Sequence, residues 1–229
     1  MSKTLVTPES TTSELVSTLS EAPATTPEAT AAPEAVRNSH RLRLGRRFTG
    51  PAPDLEALIP RFHAWIRDRE LPWTLIDVTD YRHVEQGPGV LLVGVEGDVM
   101  VGFDEDGRAL VAYVQKRNEG GGFEAHLDRA FERLDAVVRG LADLDGFGAL
   151  ATTGEWAFRL LDRLVTRHGT VAEDLADWFA ARLDLELGTE VVVERDAVDS
   201  RRAEGLVARP AIAEVPEPLA PVVALAPTA

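Results

Sequence analysis

YRHVEQGPGVLLVGVEGDVMVGFDEDGRALVAYVQK (residues 81–116) contains three short apolar runs that are separated by glycines and acidic residues. Runs of this length, rich in valine and leucine and bounded by turn residues, are typical of β-strands. Residues 96–98, Glu-Gly-Asp, and residues 104–107, Asp-Glu-Asp-Gly, predict the tight turns between them. The sequence therefore predicts an antiparallel meander with strands at 89–96, 98–105 and 109–116.

Regular elements are also predicted on both sides of this meander. Residues 73–81 read as a further strand, and a helix around Pro60 should end before Pro72, because proline disfavours a helical residue in front of it. An apolar stripe from Phe123 to Leu141 predicts a long amphipathic helix. The remaining elements are a strand starting at Trp156, a helix from Thr170 to Leu183 and a strand in 189–196.

The order of these elements predicts the fold class. Helices cluster instead of alternating strictly with strands, which favours an α+β fold over a parallel α/β fold. We expect a two-layer sandwich, with a mainly antiparallel sheet and helices packed on one face. Trp65, Trp156 and Trp178 lie on apolar stripes and are expected in the core, whereas Trp73 is expected to be partly exposed.

Composition divides the chain into four segments. Residues 1–36 are rich in Thr, Ala, Pro and Glu, which predicts a disordered leader because such a segment buries too little apolar surface. Residues 37–47 form a basic linker, and residues 48–196 form the α+β domain. Residues 197–229 are rich in Pro, Ala and Val, which predicts an extended tail that could act as a docking peptide.

The basic linker, RNSHRLRLGRR, contrasts with the rest of the chain. It contains five arginines and no acid: Arg37, Arg41, Arg43, Arg46 and Arg47. We interpret it as a solvated linker whose arginines contact the acidic domain. Two alternatives remain open: a patch for nucleic acid or anionic lipid, and an ordered first strand, since Leu42 and Leu44 alternate with the arginines.

Charge and composition exclude several classes of protein. The 229 residues carry a formal net charge of −14, which argues against a nucleic-acid partner. The sequence has no cysteine, so disulfides, thiolate zinc sites and cysteine nucleophiles are excluded. No apolar run approaches the roughly 18 residues of a membrane span, so we expect no membrane partner. A cytoplasmic, bacterial protein is the expectation, since arginine and alanine far outnumber lysine and serine.

Catalytic options within residues 48–196 are few. This segment has no serine and a single lysine, Lys116, which excludes serine nucleophiles and Ser–Lys pairs from the domain. A P-loop motif is absent from the sequence as well. Whether the chain is an enzyme stays open, with the balance against it, and we predict no catalytic residue, metal or cofactor.

One loop remains as a candidate for ligand binding or protein interaction. Its residues are Asp77, Asp80, Tyr81, His83, Gly87 and Gly89, and we call residues 77–89 the candidate loop. Carboxylates and a histidine at a strand end could hold a metal or act as an acid–base pair. The alternative is that they cap and hydrogen-bond the loop. Its glycines precede a strand and not a helix, which argues against dinucleotide binding.

The candidate loop also contains the residues of a family resemblance. The pattern DxxDYxHVxxGPGV runs from Asp77 to Val90, and Phe62-His63-x-Trp65-Ile66 precedes it. Over residues 54–196 the chain resembles a family of small uncharacterised bacterial proteins with no known activity. The resemblance implies one domain and no catalytic residues. The chain departs from the family pattern at Val95, where a polar or aromatic residue is expected.

These observations together favour a non-enzymatic accessory or protein-interaction domain. Its partner would be another protein, and the two terminal segments would act as tethers or docking peptides. The alternative is a metal- or small-ligand-binding domain, or an enzyme, centred on the candidate loop. The sequence does not indicate the oligomeric state.

Overall fold

The structure is a computed structural model of the whole chain. It describes residues 31–48, 53–84, 87–104, 107–148, 155–162, 171–196 and 205–211. The helices are α1 (Leu58–Asp68), α2 (Gly122–Leu141) and α3 (Val171–Leu187). The strands are β1 (Leu42–Arg47), β2 (Leu75–Asp80), β3 (Val90–Gly94), β4 (Gly97–Phe103), β5 (Ala109–Gln115), β6 (Trp156–Leu160), β7 (Val191–Arg195) and β8 (Gly205–Pro210).

The described strands form one sheet, in the order β2-β3-β4-β5-β1-β6-β8-β7. Every neighbouring pair is antiparallel. The buried apolar side chains of α1, α2 and α3 belong to a single core that they share with one face of the sheet. The predicted α+β sandwich, with an antiparallel sheet and helices against it, is thus confirmed.

The meander of β3, β4 and β5 forms as the apolar runs predicted. Its first turn lies one residue earlier than expected, so Gly97 pairs with Gln115 inside the ladder. Glycine is required at this position because a Cβ would collide with the hydroxyl group of Tyr113. The second turn is closed by Asp104, whose side chain accepts a hydrogen bond from the Arg108 N–H at 2.8 Å.

Strand β1 corrects the interpretation of residues 37–47 as a solvated linker. It lies in the interior of the sheet, paired with β5 on one side and β6 on the other. Leu42 and Leu44 are completely buried in the core. The ordered first strand, which was one of the alternatives, is the one observed. The solvated-linker interpretation is wrong because the backbone groups of Leu42–Arg47 are paired on both sides.

The predicted boundaries of the folded unit need correction at both ends. A 3-10 turn at Glu34–Val36 buries Val36, and Ala32 is also in the core, although both lie in the predicted leader. Strand β8 lies in the predicted tail and pairs with β6 and β7. Residues 1–30 and 212–229 lie outside the described residues. The folded unit therefore extends beyond 48–196 in both directions.

The amphipathic helices agree with their sequence patterns. Helix α1 contains Pro60 in its first turn and ends at Asp68, before Pro72, as predicted. Helix α2 buries the apolar stripe from Phe123 to Leu141. The two helices contact each other at Gly140, since a Cβ there would lie 2.6 Å from Trp65 Cζ2. This glycine therefore leaves room for the tryptophan.

We predict that Gly140→Ala destabilises the protein despite the better helix propensity of alanine. Alanine favours a helix by about 1 kcal/mol over glycine, but an added core methyl that forces a shift costs about 1–3 kcal/mol. Trp65 is only 1% exposed, so it has no free direction in which to move. Urea unfolding should show a net loss of about 1 kcal/mol.

The control removes the clashing part of the indole. In a Trp65→Phe background the ring atoms nearest to Gly140 are gone, so Gly140→Ala should become neutral or stabilising. An equal effect of Gly140→Ala in the two backgrounds would contradict the proposed contact.

Candidate functional site

The candidate loop connects β2 to β3 through consecutive tight turns. The Tyr81 N–H donates to the Gly89 carbonyl at 2.7 Å, which continues the β2–β3 ladder past Asp80. The Val84 N–H donates to the Tyr81 carbonyl, and the Gly87 N–H donates to the Val84 carbonyl, both at 2.9 Å. The described part of the loop thus makes three backbone hydrogen bonds of its own.

Close backbone packing explains two of the glycines in this region. Gly89 has φ 77°, and a Cβ there would collide with the Val101 carbonyl oxygen on β4. A Cβ on Gly102 would in turn collide with the Pro88 carbonyl oxygen. The loop therefore lies directly against the end of β4, and neither position accepts a side chain without a shift of the backbone.

The two aspartates of the candidate loop are engaged in local hydrogen bonds. Asp80 accepts from the Arg82 guanidinium at 2.8 and 3.0 Å and from the Arg82 N–H at 3.0 Å. These hydrogen bonds lower the pKa of Asp80 to about 2. Asp77 accepts from the Val78 N–H at 2.8 Å. Both carboxylates therefore perform a structural task in the loop and in the strand before it.

The hydrogen bond to Asp77 protects an edge of the sheet. Strand β2 is terminal in the sheet order, and the register with β3 turns the Val78 N–H outward. At the opposite edge, Asp184 on α3 accepts from the Val191 N–H of β7 at 2.7 Å. Exposed edge N–H groups invite pairing with another chain, so these two aspartates act against sheet extension.

Three exposed apolar side chains lie around the candidate loop. Tyr81 and Val84 belong to the loop, and Phe103 follows Gly102 on β4; they are 37%, 43% and 45% exposed. We call these three residues the apolar patch. Asp80, Arg82 and the exposed His83 are next to Tyr81 and Val84 in sequence, and all six residues lie at the same end of the sheet. The structure thus places Asp80, Tyr81, His83, Gly87 and Gly89 at one end of the sheet and Asp77 farther along the edge strand.

A metal site is not assembled from these residues. Among the residues that the structure describes, no group of three or more His, Asp or Glu side chains could hold a metal ion. Asp80 is already hydrogen-bonded to the Arg82 guanidinium, so it would have to give up that partner to bind a metal ion.

The arginines of residues 37–47 are distributed over different surroundings. The backbone carbonyl of Arg37 accepts a hydrogen bond from the Phe123 N–H, and that of Arg41 accepts one from the Leu161 N–H. Arg46 lies over the ring of Trp156, with its Cζ 4.4 Å from the ring centroid, and burial lowers its pKa.

Arg43 and Arg47 lie on the other face of β1. Arg43 lies opposite Arg159 of β6 in the register. Arg47 is only 3% exposed and forms ion pairs with Asp104 at 2.6 Å and with Glu155 at 2.9 Å. Arg47 is therefore a buried structural charge and does not extend into solvent.

Glu155 is the centre of this charged cluster. Its carboxylate accepts from Arg108 at 2.5 and 2.6 Å and from Arg47 at 2.9 Å, and Arg209 lies 3.6 Å away. Burial acts to raise the pKa of Glu155, but the hydrogen bonds from Arg108 and Arg47 outweigh it and hold the pKa below its ordinary value. The cluster links β1, β6, β8 and the β4–β5 turn.

Sequence reasoning missed a second polar cluster on the helix side of the sheet. Arg133 of α2 donates to Tyr113 Oη at 2.6 Å and to both oxygens of Glu119 at 2.7 Å. Its guanidinium also lies over the rings of Tyr113 and Trp73, and Trp73 is buried, contrary to the expectation of partial exposure. The available signal was the position of Arg133, at helical spacing from Ala130 and Val137 of the apolar stripe.

The pKa values of Glu119 and Tyr113 in this second cluster are strongly shifted. Hydrogen bonds from Arg133, supported by one from Gln115, outweigh burial and lower the pKa of Glu119 to about 2. Burial raises the pKa of Tyr113 to about 12. At neutral pH the cluster therefore contains an ionised glutamate, a neutral phenol and a charged guanidinium.

Comparisons with protein-family models, with curated proteins and with solved structures found no match. The family resemblance of the candidate loop therefore stays a prediction. No helix among the described residues is long and apolar enough to cross a membrane.

We predict that Glu119 makes stability depend on pH below its ordinary pKa. Because the folded pKa is lowered to about 2, the stabilisation is complete above pH 4.5 and is lost as the pH falls towards 2. Glu119→Gln should cost roughly 1–2 kcal/mol at neutral pH, after allowance for solvent screening. Urea unfolding between pH 5 and pH 3 should show this difference shrinking.

An Arg133→Ala background provides the control, since the group that lowers the pKa of Glu119 is then gone. In that background Glu119→Gln should have a small effect with little dependence on pH. A difference between the glutamate and the glutamine proteins that stays constant from pH 5 to pH 3 would be the contrary result.

We also predict that Asp77→Ala opens the β2 edge locally. The Val78 amide proton should exchange with solvent faster, because the carboxylate that accepts it is gone. Asp77→Asn keeps an acceptor oxygen and should retain most of the protection. Amide exchange measured by NMR tests this, and equal Val78 rates in the alanine and asparagine variants would refute the capping role.

Proposed function

We propose that this chain is a non-enzymatic accessory or protein-interaction domain that binds another protein through the apolar patch. The observation that carries this proposal is the exposure of Tyr81, Val84 and Phe103 at one end of the sheet. Exposed apolar side chains surrounded by polar groups are a feature of protein–protein interfaces.

Local hydrogen bonds in the loop support this proposal. Asp80 pairs with Arg82, and the Val84 N–H donates to the Tyr81 carbonyl, so both exposed side chains are attached to hydrogen-bonded backbone. Local order of this kind reduces the conformational entropy that is lost on binding. Tyrosine is enriched among the residues that contribute most to such interfaces.

The terminal segments complete the proposed role. Residues 1–30 and 212–229 join the folded unit at its two ends and would act as tethers or docking peptides. Their composition, rich in proline and in small or polar residues, suits extended segments that reach a partner. The acidic charge suits a cytoplasmic location, which is also part of the proposal.

A metal- or small-ligand-binding domain, or an enzyme, centred on the candidate loop is the competing proposal. It has less support, because Asp80 and Asp77 already accept local hydrogen bonds. His83→Ala discriminates between the two proposals. The metal-binding form of the competing proposal requires metal in stoichiometric amount in the purified protein and its loss in this variant, whereas the interaction proposal expects no change in metal content.

The interaction proposal predicts that Tyr81→Ala with Phe103→Ser weakens the complex with the protein that co-purifies with the unchanged chain. Loss of two exposed anchors should weaken binding about tenfold or more, since an anchor residue at an interface contributes 1 kcal/mol or more. The measurement is the dissociation constant for that co-purified protein by titration calorimetry.

A matched control replaces exposed apolar residues elsewhere. Leu185 and Val192 are 44% and 51% exposed on α3 and β7, and Leu185→Ser with Val192→Ser should leave the dissociation constant unchanged. If the Tyr81/Phe103 variant still binds normally while residues 31–211 alone do not bind, the contact lies in the terminal segments and the apolar patch is the wrong surface.

A further inference from the structure

A buried histidine on α2 holds the loop that joins β5 to α2. His126 is only 1% exposed; its Nδ1 lies 2.8 Å from Arg129 Nη2, and its Nε2 lies 3.2 Å from Asn118 Oδ1. Asn118 Oδ1 also accepts the Gly120 N–H at 2.9 Å, and Arg129 Nη2 donates to the Gly120 carbonyl at 2.6 Å. We call these four residues the histidine network and residues 116–121 the β5–α2 loop.

The histidine network admits one protonation state of His126. A guanidinium can only donate, so the Nδ1 atom that faces Arg129 must be an unprotonated acceptor. The Gly120 N–H identifies the facing atom of Asn118 as its oxygen, which accepts, so the ring proton must be on Nε2. A second proton, on Nδ1, would point at the guanidinium N–H and remove the acceptor of Arg129.

The charges around His126 also act against a second proton. Arg129 and Arg133 are on the same helix, and His40 comes from the segment before β1, with its ring centroid 6.1 Å from that of His126. Burial, Arg129 and His40 lower the pKa of His126 below its ordinary value of 6.5. Glu119 acts in the opposite direction, but its carboxylate is already paired with Arg133. The stabilisation by neutral His126 is therefore complete above pH 6.5 and is lost as the pH falls below it.

Hydrogen bonds keep the β5–α2 loop in its observed conformation. Gly120, Gly121 and Gly122 have φ of 81°, 86° and 74° in succession. Glycine adopts positive φ without steric cost, but many other conformations are equally open to it. A Cβ on Gly120 would meet no atom within 4 Å, so packing does not fix the backbone at that position. Loss of the histidine network would therefore release the loop.

We infer that the β5–α2 loop is a pH-sensitive switch, which opens when His126 takes up a second proton. Arg129 then loses its acceptor on the ring, and two like charges face each other where a hydrogen bond had been. Glu119 stays paired with Arg133, because its pKa of about 2 keeps it ionised at pH 5 and above. The open loop therefore remains attached through Glu119 while Asn118 and Gly120 separate from α2.

The switch and the apolar patch lie at opposite ends of the sheet. Phe103 of the patch pairs with Ala109 at the start of β5, whereas the β5–α2 loop follows Gln115 at the end of that strand. Opening of the loop therefore changes a surface that the proposed partner contact does not use. The inference concerns regulation of the protein by acid and can fail or succeed independently of the partner.

Amide exchange of the full-length protein between pH 7 and pH 5 tests the inference. The rates are measured by NMR and divided by the intrinsic rate at each pH, which gives the protection of each amide. The protection of the Gly120 N–H should fall severalfold over this range, because its acceptor belongs to the histidine network. The Tyr81 N–H, which donates to the Gly89 carbonyl at the other end of the sheet, should keep its protection.

Two matched variants identify the group that titrates. His126→Asn keeps an acceptor oxygen near the position of Nδ1 but does not titrate, so its Gly120 protection should be independent of pH. His63→Asn replaces an exposed histidine on α1 and should reproduce the pH dependence of the unchanged protein.

His40→Asn is a further variant, and it leaves every hydrogen bond of the histidine network in place. His40 acts to lower the pKa of His126, so without it the loop should still open, at a higher pH. If the pH dependence disappears in this variant, His40 is the titrating group and the inference is wrong.

Three other results would overturn the inference. One is constant Gly120 protection in the unchanged protein from pH 7 to pH 5. Another is a pH dependence in His126→Asn that equals that of the unchanged protein. The third is a parallel loss of protection at Tyr81, which would show that the whole protein unfolds. All of these measurements use the purified protein alone, so they do not depend on a partner at the apolar patch.

Discussion

The pairing of β1 on both of its sides is the constraint on which the rest of this structure depends. Leu42–Arg47 is the strand that joins the β2–β5 meander to β6, β8 and β7. Leu42 and Leu44 place apolar groups from this strand in the core beneath the helices. Without β1 the two parts of the sheet would lose both their hydrogen-bonded link and the centre of their shared apolar layer.

Because β1 is a central strand, its charged side chain Arg47 is buried and must be paired with opposite charges. Arg47 enters the interior with the backbone of β1, and a buried guanidinium without a counterion would be strongly destabilising. Asp104 and Glu155 supply the opposite charge from the β4–β5 turn and from the start of β6. Asp104 also accepts the Arg108 N–H within its turn, so the same carboxylate couples the turn to the central strand.

The edges of the sheet limit how the protein could bind a partner. The outward N–H groups of Val78 and Val191 are each occupied by an aspartate. Strand addition at either edge would have to displace such a hydrogen bond. The proposed contact therefore uses the side chains of the apolar patch at the end of the sheet instead.

Local sequence patterns determined much of the fold. The stripes of α1 and α2 and the apolar runs of β3, β4 and β5 predict their elements, because residues within a few positions set helical or strand periodicity. The first turn of the meander moved by one residue because Gly97 accommodates Tyr113, a residue that is distant in sequence. The sequence alone also established the absence of cysteine and the lack of serine in residues 48–196.

Tertiary structure alone decided the role of the charged segments. Alternating leucines and arginines are compatible with a solvated linker as well as with a strand. Residues 42–47 form a central strand because they pair with β5 and β6 and because two distant carboxylates neutralise Arg47. The motif in the sequence predicted the candidate loop. The hydrogen bond from the Val78 N–H to Asp77, in contrast, is possible because β2 is an edge strand with an outward N–H. Periodicity is encoded in a short window of sequence, whereas the partner of a charge or of a strand is set by contacts between distant residues.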